Sequence, residues 1–510
     1  MYAKVSTAII RGVDSVLVSV ETDISQGLPC IEMVGLLASE VKESKNRVRA
    51  ALHNSGFAIP IKRITINISP ASIHKYGAGF DLPIAISMLS AMEMISKEQL
   101  EGVAMIGELS LEGKVLPVNG VLSMALSMKE QGRKVFIVPV ENEREARLVP
   151  DLCVVPVASL NDVITFLQDG EVVTNPWEDE ELDAGKSMVP DFRDINGQKL
   201  VRRACEVAVS GMHNFLMIGP PGAGKSMIAK AIPSILPPMN EEEQIEVSKI
   251  YSVAGLLRQE SGLIRNRPFR SPHHTISSAG LVGGGAIPHP GEISLAHRGV
   301  LFLDELPEFH RATLEVLRQP MEEGYVNIAR NSGNYTFPSD FILVAAMNPC
   351  NCGYYPDMSR CRCNPFSVQR YMGKISQPLL DRIDIAVQVS EVPFADLDLK
   401  CDNESSEEIR KRVLYVQEVQ RERFKDTSLV FNSQMGVEEL ERYCALDKKD
   451  MKFMEQMYQK MKLTARTYHK VLKVARTIAD MDGSLKIEKK HLMEALMYRS
   501  VDRGYWEAMQ

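Results

Sequence analysis

The sequence predicts an α/β protein: a phosphate-binding core with a helical lid behind it and a mixed α+β domain in front. Three observations predict it. The apolar run Leu216-Met217-Ile218 ends in Gly219-Pro220-Pro221-Gly222-Ala223-Gly224-Lys225-Ser226, and an apolar helical pattern opens at Met227. Strand, glycine-rich turn and helix in that order are the setting in which G-x-x-x-x-G-K-S cradles a polyphosphate. Residues 299–305 form a continuous apolar run closed by Asp304 and Glu305, the signature of a strand buried on both faces. Residues 1 to about 165 alternate short β runs with helical runs, as one self-contained domain would.

In the first domain, 16–21 and 28–35 read as strands, and 41–54 as a helix with a Val48-Ala51-Leu52 stripe. Residues 63–68 alternate at period two, a half-buried strand. An apolar helix is expected over 81–92, then β runs at 134–139 and 153–157 with a helix between them. Residues 169–190 turn acidic and weakly apolar (Glu178-Asp179-Glu180-Glu181, Asp183), a solvated linker.

The core begins near Asp191, with a helix over 200–210 leading to the phosphate loop. The loop glycines turn backbone N–H groups inward, and the helix N-terminus adds partial positive charge. Lys225 would reach the β- and γ-phosphates of ATP and Ser226 would ligand Mg²⁺. Asp304 would hold that Mg²⁺ through water, and Glu305 would polarise the attacking water. A third strand, 340–348, ends on Asn348. From about 402 the chain is helical, over 409–425, 451–462, 468–480 and 488–501. The expected domains are therefore 1–168, a linker over 169–190, the core over 191–400, and a helical lid over 401–510.

Several stretches fit no plain strand or helix. Arg270-Ser271-Pro272-His273-His274-Thr275 leads into the Gly- and Pro-rich 280–292. His273, His274 and His289 have loop-like spacing, which favours polar or pore-facing side chains over a metal site. Residues 326–330 and 334–337 alternate around Asn331-Ser332-Gly333, a hairpin signal. Cys350, Cys352, Cys361 and Cys363 form two C-x-C pairs in one short loop. Four thiols so placed suit a tetrahedral Zn²⁺, with free thiols as the other reading. The remaining five cysteines, Cys30, Cys153, Cys205, Cys401 and Cys444, are scattered and read as structural.

Composition narrows the function. A chain of 510 residues, 45% hydrophobic and 25% charged, is an ordinary multidomain globular protein. No apolar run approaches the ~20 residues of a membrane span, and Met1-Tyr2-Ala3-Lys4 does not begin a signal peptide. A cytoplasmic location and no membrane partner are expected. The formal net charge of -7 excludes a globally basic nucleic-acid coat, so any DNA contact must use local surfaces.

Resemblances sharpen these expectations. Residues 107–120 (Gly-Glu-Leu-Ser-Leu-Glu-Gly-Lys-Val-Leu-Pro-Val-Asn-Gly) and Val138-Pro139-Val140-Glu141-Asn142-Glu143 resemble the core of the Lon-type protease domain. Where that family carries its nucleophilic Ser and its Lys, this chain has Gly77-Ala78-Gly79-Phe80-Asp81 and Val121-Leu122-Ser123-Met124. The resemblance therefore implies a non-proteolytic domain, used for assembly or DNA contact. The core resembles AAA+ ATPases. There Asn348 matches the first sensor, Arg382 in Leu379-Leu380-Asp381-Arg382 the arginine finger offered to a neighbouring subunit, and Arg466 in Thr464-Ala465-Arg466-Thr467 the second sensor. The 280–292 stretch resembles the insertion in helix 2 of the Mg-chelatase and minichromosome-maintenance type, and the hairpin its companion loop facing the ring pore.

The ensemble resembles the ComM/YifB family of Mg-chelatase-like AAA+ ATPases. The most specific stretches are 297–306, the cysteine loop after Asn348-Pro349, and Val474-Ala475-Arg476-Thr477-Ile478-Ala479-Asp480. The resemblance implies a homohexameric helicase that uses ATP and Mg²⁺ to drive branch migration of DNA joints in natural transformation. A motor subunit that inserts Mg²⁺ into a porphyrin is the alternative, and a AAA+ protease is opposed by the missing Ser and Lys.

Overall fold

The computed structural model describes residues 1–170, 189–257, 262–330, 333–392 and 403–499. The acidic run of the linker, Asn331, Ser332, Cys401 and the helix end expected at 500–501 lie outside them.

The first domain is built on a mixed sheet. β1 (Tyr2–Arg11), β2 (Asp14–Ser25), β3 (Cys30–Val34), β4 (Arg63–Ser69), β5 (Val103–Met105), β6 (Val135–Pro139) and β7 (Cys153–Val157) lie in the order β3-β4-β2-β1-β5-β6-β7. β1, β2 and β4 pair antiparallel, and the other neighbours pair parallel. On one face lie helices α1 (Ser39–Asn54), α2 (Asp81–Ala91) and α4 (Leu160–Asp169). On the other lies α3 (Val121–Glu130). β2 runs well past the expected 16–21, and β1 was not legible as a strand, because its apolar residues run together instead of alternating.

Every residue of α2 is buried, as expected of a helix apolar all round. Its one charge, Asp81, is satisfied by a fork from Arg47, at 2.7 Å from Nε and 3.0 Å from Nη2, and by the Leu109 N–H. That bond removes Arg47 from the free basic surface of α1, where Lys42, Lys45 and Arg49 remain exposed.

The core domain has five parallel strands: β8 (Phe215–Ile218), β9 (Phe269–Arg270), β10 (Val300–Leu303), β13 (Ile342–Met347) and β14 (Ile385–Gln388), in the order β9-β10-β13-β8-β14. Alternate side chains enter different layers. Phe215, Met217 and Phe302 face α5 (Lys199–Gly211) and α6 (Lys225–Ile235), while Leu216, Ile218 and Leu301 face the insertion and the cysteine loop. Strands covered on both faces read as unbroken apolar runs, which is why they were legible. Between β10 and β13 the predicted hairpin forms from β11 (Tyr325–Arg330) and β12 (Gly333–Pro338). Its Val326, Ile328, Tyr335 and Phe337 point inward.

The helical region consists of α8 (Ser406–Phe424), opened by a Ser405/Glu408 capping box, then α9 (Lys448–Lys460), α10 (Ala465–Met481) and α11 (Lys489–Met497). α8 and α10 share one core with α5 and β8. The first domain docks on α7 (Glu241–Val253), a Glu-rich helix the periodicity did not reveal. Gly120 N–H donates to the Ser252 carbonyl at 3.1 Å, and Ser252 and Lys249 bond Glu145 and Asp14. No helix among the described residues is long and apolar enough to cross a membrane.

Candidate nucleotide site

β8 lies between β13 and β14, although it precedes both in the chain. Such a switch in strand order opens a crevice at the carboxyl ends of the strands. The chain leaves β8 there through Gly219, where a side chain would meet the Val389 carbonyl at 2.2 Å, so only glycine fits. Gly222 and Gly224 take φ of +77° and +86°, the left-handed backbone that turns the loop into α6.

The residues expected to act on the polyphosphate converge at this edge. Lys225 Nζ donates at 2.8 Å to the carbonyls of Gly219 and Pro220 and at 3.0 Å to Asn348 Oδ1. Burial lowers the Lys225 pKa, while Asp304 and Glu305 pull it the other way. Ser226 Oγ donates to Asp304 Oδ2 at 2.6 Å, and Glu305 N–H to Asp304 Oδ1 at 2.9 Å. A hydroxyl and a carboxylate already in contact are the hard-oxygen pair that, with substrate phosphates, suits Mg²⁺. Ser226 and Asp304 therefore fit that ion, whose chemistry is to neutralise phosphate charge.

The two arginines lie elsewhere. The Arg382 carbonyl accepts at 3.0 Å from Asn214 Nδ2, and Asn214 immediately precedes β8. Because β8 and β14 run parallel, Arg382 sits at the opposite edge of the sheet from Lys225, about 13 Å of strand away. Its guanidinium donates to the Pro378 carbonyl at 2.6 Å and pairs with Glu322. Arg466, at the start of α10, joins it there, 3.4 Å from Asp381 Oδ2. Within one chain neither arginine meets the phosphate loop.

A turn further along α10, Lys470 Nζ donates to the Ile383 carbonyl at 2.7 Å and lies 3.4 Å from Asp384 Oδ1. Burial opposes ionisation of Asp384, yet Lys470 and His213 hold its carboxyl well below the usual range. These side chains line a groove of about 1060 Å³ together with Glu246, Arg298 and Lys473. The sequence offered no signal for Asp384 or Lys470, since each is ordinary until the fold brings them together.

The cysteine loop lies against the phosphate loop. The four Sγ atoms are within 4.8 Å of one another, and Cys350 Sγ is 3.3 Å from Cys352 and 3.8 Å from Cys361. Tetrahedral Zn²⁺ with 2.3 Å bonds places sulfurs about 3.8 Å apart, so this set fits the ion. The Cys352 thiol is drawn down to about 6, chiefly by the Tyr354 N–H. Gly353, between the pairs, is so close to Pro221 that an added Cβ would lie 2.4 Å from its Cδ. Among the described residues this is the only cluster suited to a metal, and His273, His274 and His289 form none.

In the first domain, Gly77, Ala78, Gly79, Pro117, Val118 and Met124 line one cavity of about 300 Å³. The places of the Lon Ser and Lys thus come together, with neither residue present. Ile287, Pro288 and His289 of the insertion close the same cavity, so His289 meets the first domain.

Comparison with known proteins agrees with this anatomy. Residues 191–397 match the family described as magnesium chelatase, subunit ChlI. Residues 20–142 match subunit ChlI of Mg-chelatase, and 403–499 the ChlI C-terminal family. The chain is 42% identical over 498 residues to the competence protein ComM of Haemophilus influenzae, covering 96% of each chain. It is 40% identical over 502 residues to YifB of Salmonella typhimurium, covering 98% of this chain and 97% of that one. It is also 26% identical over 177 residues to Lon protease of Azospirillum brasilense, 32% of this chain and 22% of the protease. With a phosphate loop in a five-stranded parallel sheet, a dyad-free Lon-like domain in front and near full-length identity to ComM and YifB, the chain belongs to the Mg-chelatase-like AAA+ family that contains those two proteins.

Proposed function

We infer that the protein is an ATP-driven, ring-forming motor that moves branched DNA, a branch-migration helicase acting when incoming DNA is integrated. One observation carries the ring. Lys225, Ser226, Asp304, Glu305 and Asn348 meet at the carboxyl edge of the sheet, while Arg382 and Arg466 lie together at the other. Guanidinium groups stabilise charge on a departing phosphate only from contact distance, so these two serve the ATP of the next copy in a homohexamer. DNA is supported by the kinship with a competence protein and by the empty Lon dyad positions, which argue against proteolysis.

In each site Lys225 and the loop N–H groups bind the ATP phosphates, Asn348 fixes the Lys225 ammonium, and Glu305 draws a proton from the attacking water. Contacts with DNA come from the exposed Gly285, Ala286 and Arg330, whose guanidinium donates to the Gly285 carbonyl at 3.2 Å and to no carboxylate. Phosphate contacts dominate such binding, so it weakens steeply with salt and shows little sequence preference. Zn²⁺ on Cys350, Cys352, Cys361 and Cys363 braces the phosphate loop. Action takes place in the cytoplasm.

The test is a synthetic three- or four-stranded DNA junction with purified protein and ATP. The wild type should dissociate it, and Glu305→Gln should bind ATP yet turn over roughly 100-fold or more slower. No binding or unwinding of any branched DNA would leave the chelatase-type motor as the better reading.

A further inference from the structure

His273 and His274 have no task in the mechanism above, and their placement gives them one. β9 pairs in parallel with β10, with Arg270 opposite Leu301, so the segments leaving both strands emerge at the same edge of the sheet. His274 Nδ1 therefore lies 3.7 Å from Oε2 of Glu305, in ion-pair range and just beyond a hydrogen bond. The ring is held in place. It stacks on His273 with centroids 4.1 Å apart and meets Phe309 edge-on at 6.4 Å. His273 in turn lies 2.9 Å from the Thr275 hydroxyl. Glu305 itself has φ of +52°. That conformation is uncommon for a residue with a side chain and collects at functional sites.

The same segment becomes the insertion within a few residues. Ser277 caps the short helix Ser278–Val282, and Gly283–Gly284 pairs with His289–Pro290 to present Gly285 and Ala286 to solvent. Arg330 ties the hairpin to that tip through the Gly285 carbonyl. A covalent path of about a dozen residues thus joins the water-activating carboxylate to the two exposed loops.

We propose that His274 is a positioning residue: it holds Glu305 turned toward the imidazole until movement of the insertion withdraws the ring, so that DNA on the insertion sets the rate of ATP hydrolysis. This coupling rests on the DNA-motor reading above. A general base must reach its water within about 2.6–3.2 Å, and a carboxylate oxygen engaged by the ring is turned from that task. Displacing the insertion by an ångström or two moves His274 out of range, because a pair at 3.7 Å has no slack.

The experiment compares wild type, His274→Ala and His274→Gln in ATP turnover with and without a DNA junction, in affinity for a fluorescent ATP analogue, and in thermal unfolding. In His274→Ala, basal turnover should rise about two- to five-fold, the worth of one partly exposed pair. KM for ATP, analogue affinity and melting should stay as in wild type, and added DNA should accelerate little further. His274→Gln keeps an N–H directed at Glu305 and should restore both the low basal rate and the DNA response. Unchanged basal and stimulated rates in His274→Ala, or a lowered basal rate, overturn the proposal. Wild-type turnover indifferent to DNA overturns the DNA reading instead, while the basal rate of His274→Ala still reports whether the ring restrains Glu305.

Discussion

Gly353→Ala tests whether the cysteine loop supports the phosphate loop. Gly353 has φ of +88°, and its added methyl would sit 2.4 Å from Pro221 Cδ and 3.1 Å from Cγ. Carbon atoms settle near 3.5–4.0 Å, so Pro221 must retreat by about 1 Å. Two costs follow. The left-handed backbone costs a side-chain-bearing residue about 1–2 kcal/mol of stability. The displaced Pro221 shifts the N–H groups that bind phosphate, and misplacement on the 1 Å scale costs up to about 100-fold in rate. Gly483→Ala separates the two, because Gly483 has φ of +65° and nothing within 4 Å of an added Cβ. Both variants should lose comparable stability in thermal unfolding. Only Gly353→Ala should lose about 30- to 100-fold in kcat/KM for ATP. Equal kinetics in the two would refute the support.

Three further outcomes are expected. Protein purified without chelator should carry about one Zn²⁺ per chain by elemental analysis, and stripping it should lower both the melting temperature and ATP affinity. Arg382→Ala should be inactive alone, yet regain part of its turnover when mixed with Lys225→Ala subunits, and full activity of Arg382→Ala by itself would remove the finger. Asp384→Asn leaves Lys470 without its carboxylate and should cost about 3–5 kcal/mol of unfolding free energy. The Asp384 carboxyl is held below its ordinary value, so its contribution is complete above the unfolded pKa of about 4 and fades as pH falls below it. Melting curves should therefore converge between wild type and variant on acidification, and a gap that stays constant below pH 4 would refute the assignment.

What the sequence revealed and what it hid divide along chain separation. The phosphate loop was legible because strand, turn and helix N-terminus are contiguous, and every group that cradles phosphate lies within ten residues of the next. The 299–305 strand was legible because burial on both faces leaves no polar position. The cysteine cluster could be read from spacing alone. By contrast, β1 carries Val5, Ala8, Ile9 and Ile10 without alternation, and α7 begins with three glutamates that mask its buried Val247 and Ile250. Nothing local places Gly353 against Pro221, Lys470 beside Asp384 or His274 beside Glu305, because each pair is made by strand order. His273 and His274, expected to be polar or pore-facing, stand at the nucleotide site because β9 ends beside β10.

Strand order also explains why the site needs a second copy. In a parallel sheet all carboxyl ends share one edge, so whatever follows β8, β10 and β13 converges there. Whatever precedes β14 must sit at the other edge, and Arg382 precedes β14 by only a few residues. Lengthening that loop would not bring it round, because Asn214 and Asp384 bond its base to the start of β8. Lys470 and Arg499 both donate to the Ile383 carbonyl, fastening the helical region, and with it Arg466, to the same edge. The surface bearing Lys225 and the surface bearing Arg382 and Arg466 are thus opposite ends of one rigid sheet. Under the motor reading these ends meet between copies head to tail, a heterologous contact that closes into a ring when each step turns by about 60° for six subunits. Hydrolysis at Lys225 then alters the contact on a neighbour's Arg382, and the sheet carries the change through to that neighbour's own phosphate loop. Motion can pass around the ring in this way because neither end of the sheet completes a site by itself.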